Sequence, residues 1–339
     1  MKILISSHAF PPDVGGLETV ARVLADTFTA LGNEVRVVTQ SLAPEQDPAA
    51  FAYPVYRRPD AKTLWRQVRW CDILFQNNIS LGSLWPALIL RRPWVAAQQM
   101  WLTRVGGAQG WQDWLKRQVI RRGAATAISR AIAKELPIPA TLIGNPYEME
   151  QFRLLPEVPR ARDLVFLARL VSDKGGDVLF DALAALKKEG LMPNLTVIGD
   201  GPEAGNLRRQ AEALCVADQI DFAGKMTGEP LARALNAHEI MVVPSRLPEP
   251  FGVVALEGIA CGCALIGSAE GGLPDAIGPC GILFPNGDAG ALAQGIKRLM
   301  LDAGLRGSLR AEAAAHLAKH TPRGIAEAYL AVFRRVLSE

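Results

Sequence analysis

The sequence predicts an α/β protein of two doubly wound domains, each a parallel sheet with helices on both faces. Three observations carry that expectation. The chain has 339 residues, the length of about two ordinary domains. Short aliphatic and β-branched runs alternate with longer stretches of helical apolar spacing, the signature of parallel sheets buried on both faces. The alternation stops over residues 145–162, where prolines, charges and Met149-Glu-Gln-Phe152 break the periodicity, and then starts again.

Residues 2–6 read as the first strand, and a loop from His8 to Gly16 follows. Apolar residues at 17, 20, 21, 24, 28 and 31 then define one face of a helix, closed by Gly32-Asn33. Strands are expected next at 34–39, 73–76, 94–97, 125–128 and 141–143. After the interruption they recur at 164–167, 195–198, 220–222, 240–243, 264–266 and 281–284, with helices between. Residues 324–337 carry apolar positions at 325, 330, 332, 333, 336 and 337 and read as a last helix. The expected division is 1–155 and 156–320. Ligand sites in such sheets form beyond the carboxyl ends of the strands, so a site shared by the two domains is expected in a cleft.

Composition narrows the function class. Apolar residues make up 49% and charged residues 21%, which excludes a disordered or low-complexity chain. A net charge of +3 is too small to indicate a nucleic-acid partner. The charge is nevertheless uneven: residues 1–155 hold 18 Lys and Arg against 12 Asp and Glu, and all seven Trp lie between Trp65 and Trp114. Cysteines 71, 215, 261, 263 and 280 form no disulfide framework, and Cys261-Gly-Cys263 lacks the two-residue gap of a zinc knuckle. They read as buried apolar residues in a reducing cytosol. The apolar start is too short for a secretory signal, and no run of 18 apolar residues exists. A soluble, cytoplasmic protein is expected.

Three constellations carry chemistry. In Pro244-Ser-Arg-Leu-Pro-Glu249-Pro-Phe251-Gly252-Val253-Val-Ala-Leu-Glu257, a strand ends, a proline-rich turn follows and a helix begins. The open N–H groups of that helix make an anion site. Two carboxylates beside it, Glu249 and Glu257, fit a ligand that also offers hydroxyls, such as a sugar or ribose; singly, each also reads as a cap or a solvated helix residue. Arg169 and Lys174, five apart in the loop after strand 164–167, suit a diphosphate, with Arg as a bidentate grip and Lys as a point charge. By spacing alone they read more readily as a solvated basic loop. Gly15-Gly16, ahead of the first helix, lets backbone approach a ligand or simply makes a turn. Two further turns, Gly199-Asp200-Gly201-Pro202 and Glu270-Gly271-Gly272-Leu-Pro274-Asp275, add little alone. Neither G-x-G-x-x-G nor a Walker motif occurs, which argues against a dinucleotide-dependent oxidoreductase.

Together the pieces resemble family 4 of the retaining GT-B glycosyltransferases, almost end to end. Glu249 and Glu257 match its Glu-x7-Glu pattern, and residues 8–18 resemble its first loop. Ile143-Gly-Asn-Pro-Tyr147 resembles its linker entry, with Gly144 and Pro146 as departures. Arg169 and Lys174-Gly match its diphosphate pair, residues 198–202 its nucleotide-side turn, and residues 281–288 a later loop. The resemblance implies a GT-B fold of two Rossmann-like domains facing a cleft, with residues 321–339 returning to the first. It implies transfer of a sugar from a UDP- or GDP-type donor to a glycan or lipid-linked acceptor, without metal or other cofactor. Arg169 and Lys174 would neutralise the leaving diphosphate, and Glu249 would hold donor-sugar hydroxyls. Amides near Phe251, Gly252 and Val253 would hold phosphate, and Glu257 the ribose. Gly199 and Gly201 would flank the nucleotide, Lys225 lies where the base-contacting loop falls, and Gly15 and Gly16 would let the first domain close on the donor.

One departure stands out. Where the family commonly has His in a P-x-V-x-T-x-H context, this chain has Pro93-Trp-Val-Ala-Ala-Gln98-Gln99. Gln99 can hydrogen-bond a sugar hydroxyl but exchanges no proton at neutral pH, so a catalytically weak nucleotide-sugar-binding subunit stays open beside the transferase. A GT-B nucleotide-sugar epimerase is the other alternative, although those enzymes lack this arrangement of Arg, Lys and Glu-x7-Glu. The acceptor is expected on the basic, Trp-rich half. There Trp101, Trp111 and Trp114 flank the glycine-rich segment 105–110, read as a mobile loop. Residues 111–122 interleave Lys and Arg with apolar side chains, which suits contact with an anionic membrane or a solvated helix with one core face.

Overall fold

The computed structural model describes residues 1–13, 15–42, 51–102 and 110–338; the glycine-rich stretch expected at 105–110 lies outside them except for Gly110. The chain divides into two compact units, Met1–Pro146 with His320–Glu339, and Tyr147–Lys319. The break falls at Pro146 rather than at 155 because Tyr147 and Phe152 are buried and the Leu155 N–H donates to Asn236 Oδ1 at 2.9 Å. Those contacts tie residues 147–155 to the second unit.

The first unit is built on β1 (Lys2–Ser7), β2 (Glu34–Thr39), β3 (Val55–Arg57), β4 (Ile73–Asn77), β5 (Trp94–Gln98), β6 (Ala124–Ala127) and β7 (Thr141–Leu142). Their order is β3-β2-β1-β4-β5-β6-β7, with every pairing parallel. The short strand β3 escaped the sequence pattern, since three half-buried residues show no period. Strand alternation divides the core. Ile3, Ile5, Ile73 and Phe75 face helices Gly16–Ala30 and Pro322–Ser338, while Leu4 and Leu74 face the other side with Leu64, Val68, Leu84 and Val119. Phe75 meets Tyr329 edge-on at 4.9 Å and Phe333 at 5.4 Å, so the last helix is part of the core of this unit.

The second unit holds β8 (Arg162–Leu167), β9 (Leu195–Ile198), β10 (Ile220–Gly224), β11 (His238–Val243), β12 (Ala264–Ser268) and β13 (Gly281–Phe284), all parallel, in the order β10-β9-β8-β11-β12-β13. Leu164, Phe166, Val197, Ile240 and Val242 form one face of its core with helices Gly176–Lys188 and Ala289–Leu301. Successive crossovers run outward in opposite directions from β8 and β11. The loops leaving those two strands therefore diverge, and that switch point is where doubly wound sheets place ligands. The first unit has its own switch point between β1 and β4. Among the described residues, no helix is long and apolar enough to cross a membrane. Four of the five free cysteines are buried as expected; Cys215 is exposed, in a turn with φ of 56°.

Candidate active site

The loop leaving β8 carries both sequence-predicted cations. Arg169 is exposed; its carbonyl accepts from the Val171 N–H at 2.9 Å, while its guanidinium has no hydrogen-bond or ion-pair partner among the described residues. Residues Ser172–Lys174 make one 3-10 turn, and Gly175, with φ of 69°, starts helix Gly176–Lys188. A methyl group at Gly175 would sit 1.9 Å from the carbonyl oxygen of Pro244. Only glycine lets this loop press against the one that leaves β11.

That contact brings Lys174 onto Glu249. The Lys174 ammonium donates to Glu249 Oε1 at 2.8 Å, and Ser245 Oγ donates to the same oxygen at 2.6 Å. The two charged side chains are only 26% and 14% exposed. Further bonds stitch the loops together. The Arg246 guanidinium grips the Asp177 carboxylate, and the Arg246 N–H donates to the Asp173 carbonyl at 2.9 Å. Glu249 is also held from β12: the Gly272 N–H donates to its carbonyl at 2.6 Å, and its backbone pairs with Gly271. Gly271 has φ of 84°, and a methyl there would lie 2.4 Å from the Glu249 carbonyl oxygen. The turn that said little in sequence thus positions the carboxylate.

Helix Val253–Ala260 begins beside this cluster. Its cap, Gly252, is left-handed with φ of 95° and carries no side chain to cover the first N–H groups, which leaves an open, positive helix end. Gly258 keeps the helix tight on β11, where a methyl would meet Met241 Sδ at 2.3 Å. Phe251 is buried and fixes the entry. Glu257, half-buried one turn in, has its carboxyl pushed up to about 7, first by burial and then by the Glu148 carboxylate. A raised acid pKa means that the folded state holds the proton longer than the unfolded chain. Its contribution to stability is therefore present below the ordinary 4.5 and is lost as pH rises to about 7. Urea unfolding across that window is expected to show this decline, and Glu257→Gln to flatten it. An unchanged slope in the variant would refute this assignment.

The other predicted residues divide between the units. Gly199, with φ of 140°, and Gly201 lie against the backbone of the β8 loop: methyls there would meet the carbonyls of Ala168 at 1.8 Å and Leu170 at 2.3 Å. They support the segment that carries Arg169. Lys225 is exposed just past β10. In the first unit, Gly15 is extended and caps helix Gly16–Ala30, while a methyl at Gly16 would meet nothing within 4 Å, so internal packing does not demand glycine there. Gln99 is buried and its Nε2 has no partner among the described residues, whereas its N–H donates to Asn78 Oδ1 at 3.3 Å. Trp101 is half-buried and Trp111 is 72% exposed. Among the described residues no three His, Cys, Asp or Glu gather as a metal site would require.

The structure directly joins Lys174 with Glu249, a pairing across 75 residues that no local spacing encodes. Ser245 and the Asp177–Arg246 pair went unnoticed in the sequence. Ser245 had a signal, since it stands between a strand end and a candidate Glu. Asp177 and Arg246 had none beyond membership of the two loops.

Residues 150–316 match the family described as glycosyl transferases group 1. They take in nearly the whole second unit and every feature of the cluster just described. The chain is 36% identical over 178 residues to a D-inositol 3-phosphate glycosyltransferase of Actinosynnema mirum, covering 49% of this chain and 42% of that protein. It is 35% identical over 190 residues to the enzyme of the same name from Salinispora arenicola, covering 52% and again 42%. The chain thus matches less than half the length of these relatives. Among solved structures, Anabaena HepE in complex with UDP superposes with a TM-score of 0.82 at 20% identity, covering 99% of this chain and 100% of that one. A sucrose-phosphate synthase from Thermosynechococcus elongatus gives 0.80 at 21%, covering 99% of each. The likeness identifies the fold, two parallel sheets of seven and six strands, as that of the GT-B glycosyltransferases.

Proposed function

We propose that this chain transfers a sugar, with retention of anomeric configuration, from a UDP- or GDP-type nucleoside diphosphate sugar to a glycan or lipid-linked acceptor. The observation that carries this reading is the cation arrangement at the β8–β11 switch point. One guanidinium, Arg169, is exposed and unpaired among the described residues, and one ammonium, Lys174, is held by a carboxylate beside an uncapped helix end. As the sugar–phosphate bond breaks, negative charge grows on the diphosphate, and preset donors aimed at it lower the barrier. Arg169 supplies a bidentate grip and Lys174 a point charge. An ammonium has three N–H donors, so Lys174 reaches a phosphate oxygen while keeping Glu249. Glu249 Oε2 accepts from donor-sugar hydroxyls, Glu257 from the ribose, and Lys225 meets the base. These cations serve in place of a divalent ion, which makes the reaction metal-independent.

Support for a nucleotide sugar also comes from HepE, whose structures hold UDP, UDP with glucose, and UDP-glucose. The acceptor side is the first unit. On helix Trp111–Ile120 and just after it, Trp114 is 60% exposed and Arg121 and Arg122 are exposed, a pairing of indole and cations suited to an anionic membrane surface. The free cysteines suit reaction in the cytoplasm.

One experiment tests the whole reading. The protein is incubated in EDTA with UDP- and GDP-sugars, candidate acceptors and anionic vesicles at low salt. The expected result is a product with the donor's anomeric configuration by NMR, undiminished by EDTA, with protein pelleting with the vesicles. An inverted product, a metal requirement or protein left in the supernatant would each remove the corresponding part. No turnover with any donor would leave only a binding subunit.

A further inference from the structure

The loops at the carboxyl edge of the second sheet share a second ion pair, to which the proposed reaction assigns no role. Arg246 stands three residues before Glu249, and Asp177 stands three residues after Lys174. Arg246 Nε donates to Asp177 Oδ1 at 3.0 Å and Nη2 donates to Oδ2, a two-pronged grip. The backbone of Arg246 is engaged as well. Its N–H donates to the Asp173 carbonyl at 2.9 Å, and its carbonyl accepts from Asn286 Nδ2 at 3.5 Å. Asn286 Oδ1 accepts in turn from the Glu270 N–H at 3.0 Å. One residue of the β11 loop thus reaches the β8 loop and, through Asn286, the loops that follow β13 and β12. These are its neighbours in the sheet order β8-β11-β12-β13.

Folding stability does not account for this pair. The side chains of Arg246 and Asp177 are 46% and 35% exposed, and ion pairs so open to water add little to stability. Placement is the informative feature. The Lys174–Glu249 and Asp177–Arg246 contacts cross the same two loops, one on each side of the close approach between Gly175 and the Pro244 carbonyl. A single contact between two loops is a pivot, and a second contact removes the rotation about it. Asp177 is the fixed end. It lies in the first turn of helix Gly176–Lys188, where the helix dipole favours its charge, and its carbonyl accepts from Gln210 Nε2 at 3.1 Å. The end it holds is the loop that carries Ser245 and Glu249.

We infer that Asp177 and Arg246 are positioning residues for sugar transfer: their pair sets the direction in which the Lys174 ammonium meets Glu249 and the departing diphosphate. The inference rests on the function proposed above. Both prongs of the Arg246 fork are spent on Asp177, so Arg246 acts through the loop and not on the donor. Preset donors stabilise growing charge only when they are aimed at it. A misplacement of about 1 Å costs on the order of 10²-fold in rate. Loss of the pair leaves Lys174 charged and close by, so nucleotide binding changes little while turnover falls.

The test places Asp177→Asn, Arg246→Ala, the two combined, and Arg246→Lys in the full chain. Each of the first two is expected to lower kcat at saturating donor by about 10-fold or more. The combined variant loses no more than either alone, and Arg246→Lys, which keeps the charge without the fork, recovers part of the rate. Affinities for UDP and GDP by calorimetry and the urea midpoint stay close to those of the unmodified chain. Labelling with acetic anhydride, read by mass spectrometry, follows Lys174 directly: it is acetylated faster in the variants, because its ammonium leaves Glu249 more often. Unchanged kcat, additive losses or unchanged labelling overturns the inference. Weaker nucleotide binding in Arg246→Ala but not in Asp177→Asn also overturns it, by making Arg246 a direct phosphate contact. A fall in kcat matched by a fall in the urea midpoint reduces the pair to a structural one. If the unmodified chain turns over no donor, the function proposed above fails instead, and Lys174 labelling alone decides whether the pair sets that side chain.

Discussion

Replacing Arg169 with Ala is expected to lower kcat by about 10²-fold or more, the scale of losing one preorganised electrostatic donor. Lys174→Ala brings a loss of the same order. The two variants differ in stability. The Arg169 guanidinium has no partner among the described residues, so its removal is expected to leave the unfolding midpoint in urea unchanged. Lys174 neutralises Glu249, which is only 14% exposed, and removing it strands a largely buried carboxylate, which lowers the midpoint. Arg169→Lys keeps the charge but loses the fork, and recovers only part of the rate. Steady-state kinetics at saturating donor, set beside the urea curves, decides the matter. Full turnover in Arg169→Ala would end the assignment of leaving-group stabilisation to this loop.

Gly175→Ala is expected to destabilise the protein by about 3 kcal/mol or more and to abolish stabilisation by nucleoside diphosphates. Part of the cost, about 1–2 kcal/mol, is the left-handed conformation. The rest comes from the collision with the Pro244 carbonyl at 1.9 Å, which forces the β8 loop off the β11 loop and breaks the alignment of Lys174 with Glu249. Gly190 separates these terms. It has φ of 82° but nothing within 4 Å of an added methyl, so Gly190→Ala carries the conformational cost alone and leaves nucleotide binding intact. Equal midpoints for the two variants in urea unfolding would show that the loop contact contributes nothing.

Much of this architecture was legible because doubly wound domains write themselves locally. An aliphatic run such as Leu195–Ile198 is buried on both faces of a parallel sheet, so its pattern survives without knowledge of its neighbours. Strand Val55–Arg57 was invisible for the opposite reason, being too short and too polar to show a period. The domain border shifted because buried Tyr147 and Phe152 stand amid prolines and charges that look like a linker. In the candidate site, Arg169, Lys174, Glu249 and Glu257 were singled out by charge near strand ends and glycines and by the family resemblance together. Ser245, Gly271 and Gly175 act through backbone approach and shared oxygens, which composition does not display.

The sequence by itself determined two parallel α/β layers, the loops that carry charge, and the uneven division of cations and tryptophans between halves. Helical and strand periods and glycine placement are local properties, readable one segment at a time. Only the tertiary structure decided that Lys174 and Ser245 converge on one oxygen of Glu249, and that Gly271 holds that residue. Strand order makes these decisions. Placing β8 beside β11 and β1 beside β4 brings together loops that lie about seventy residues apart in the chain.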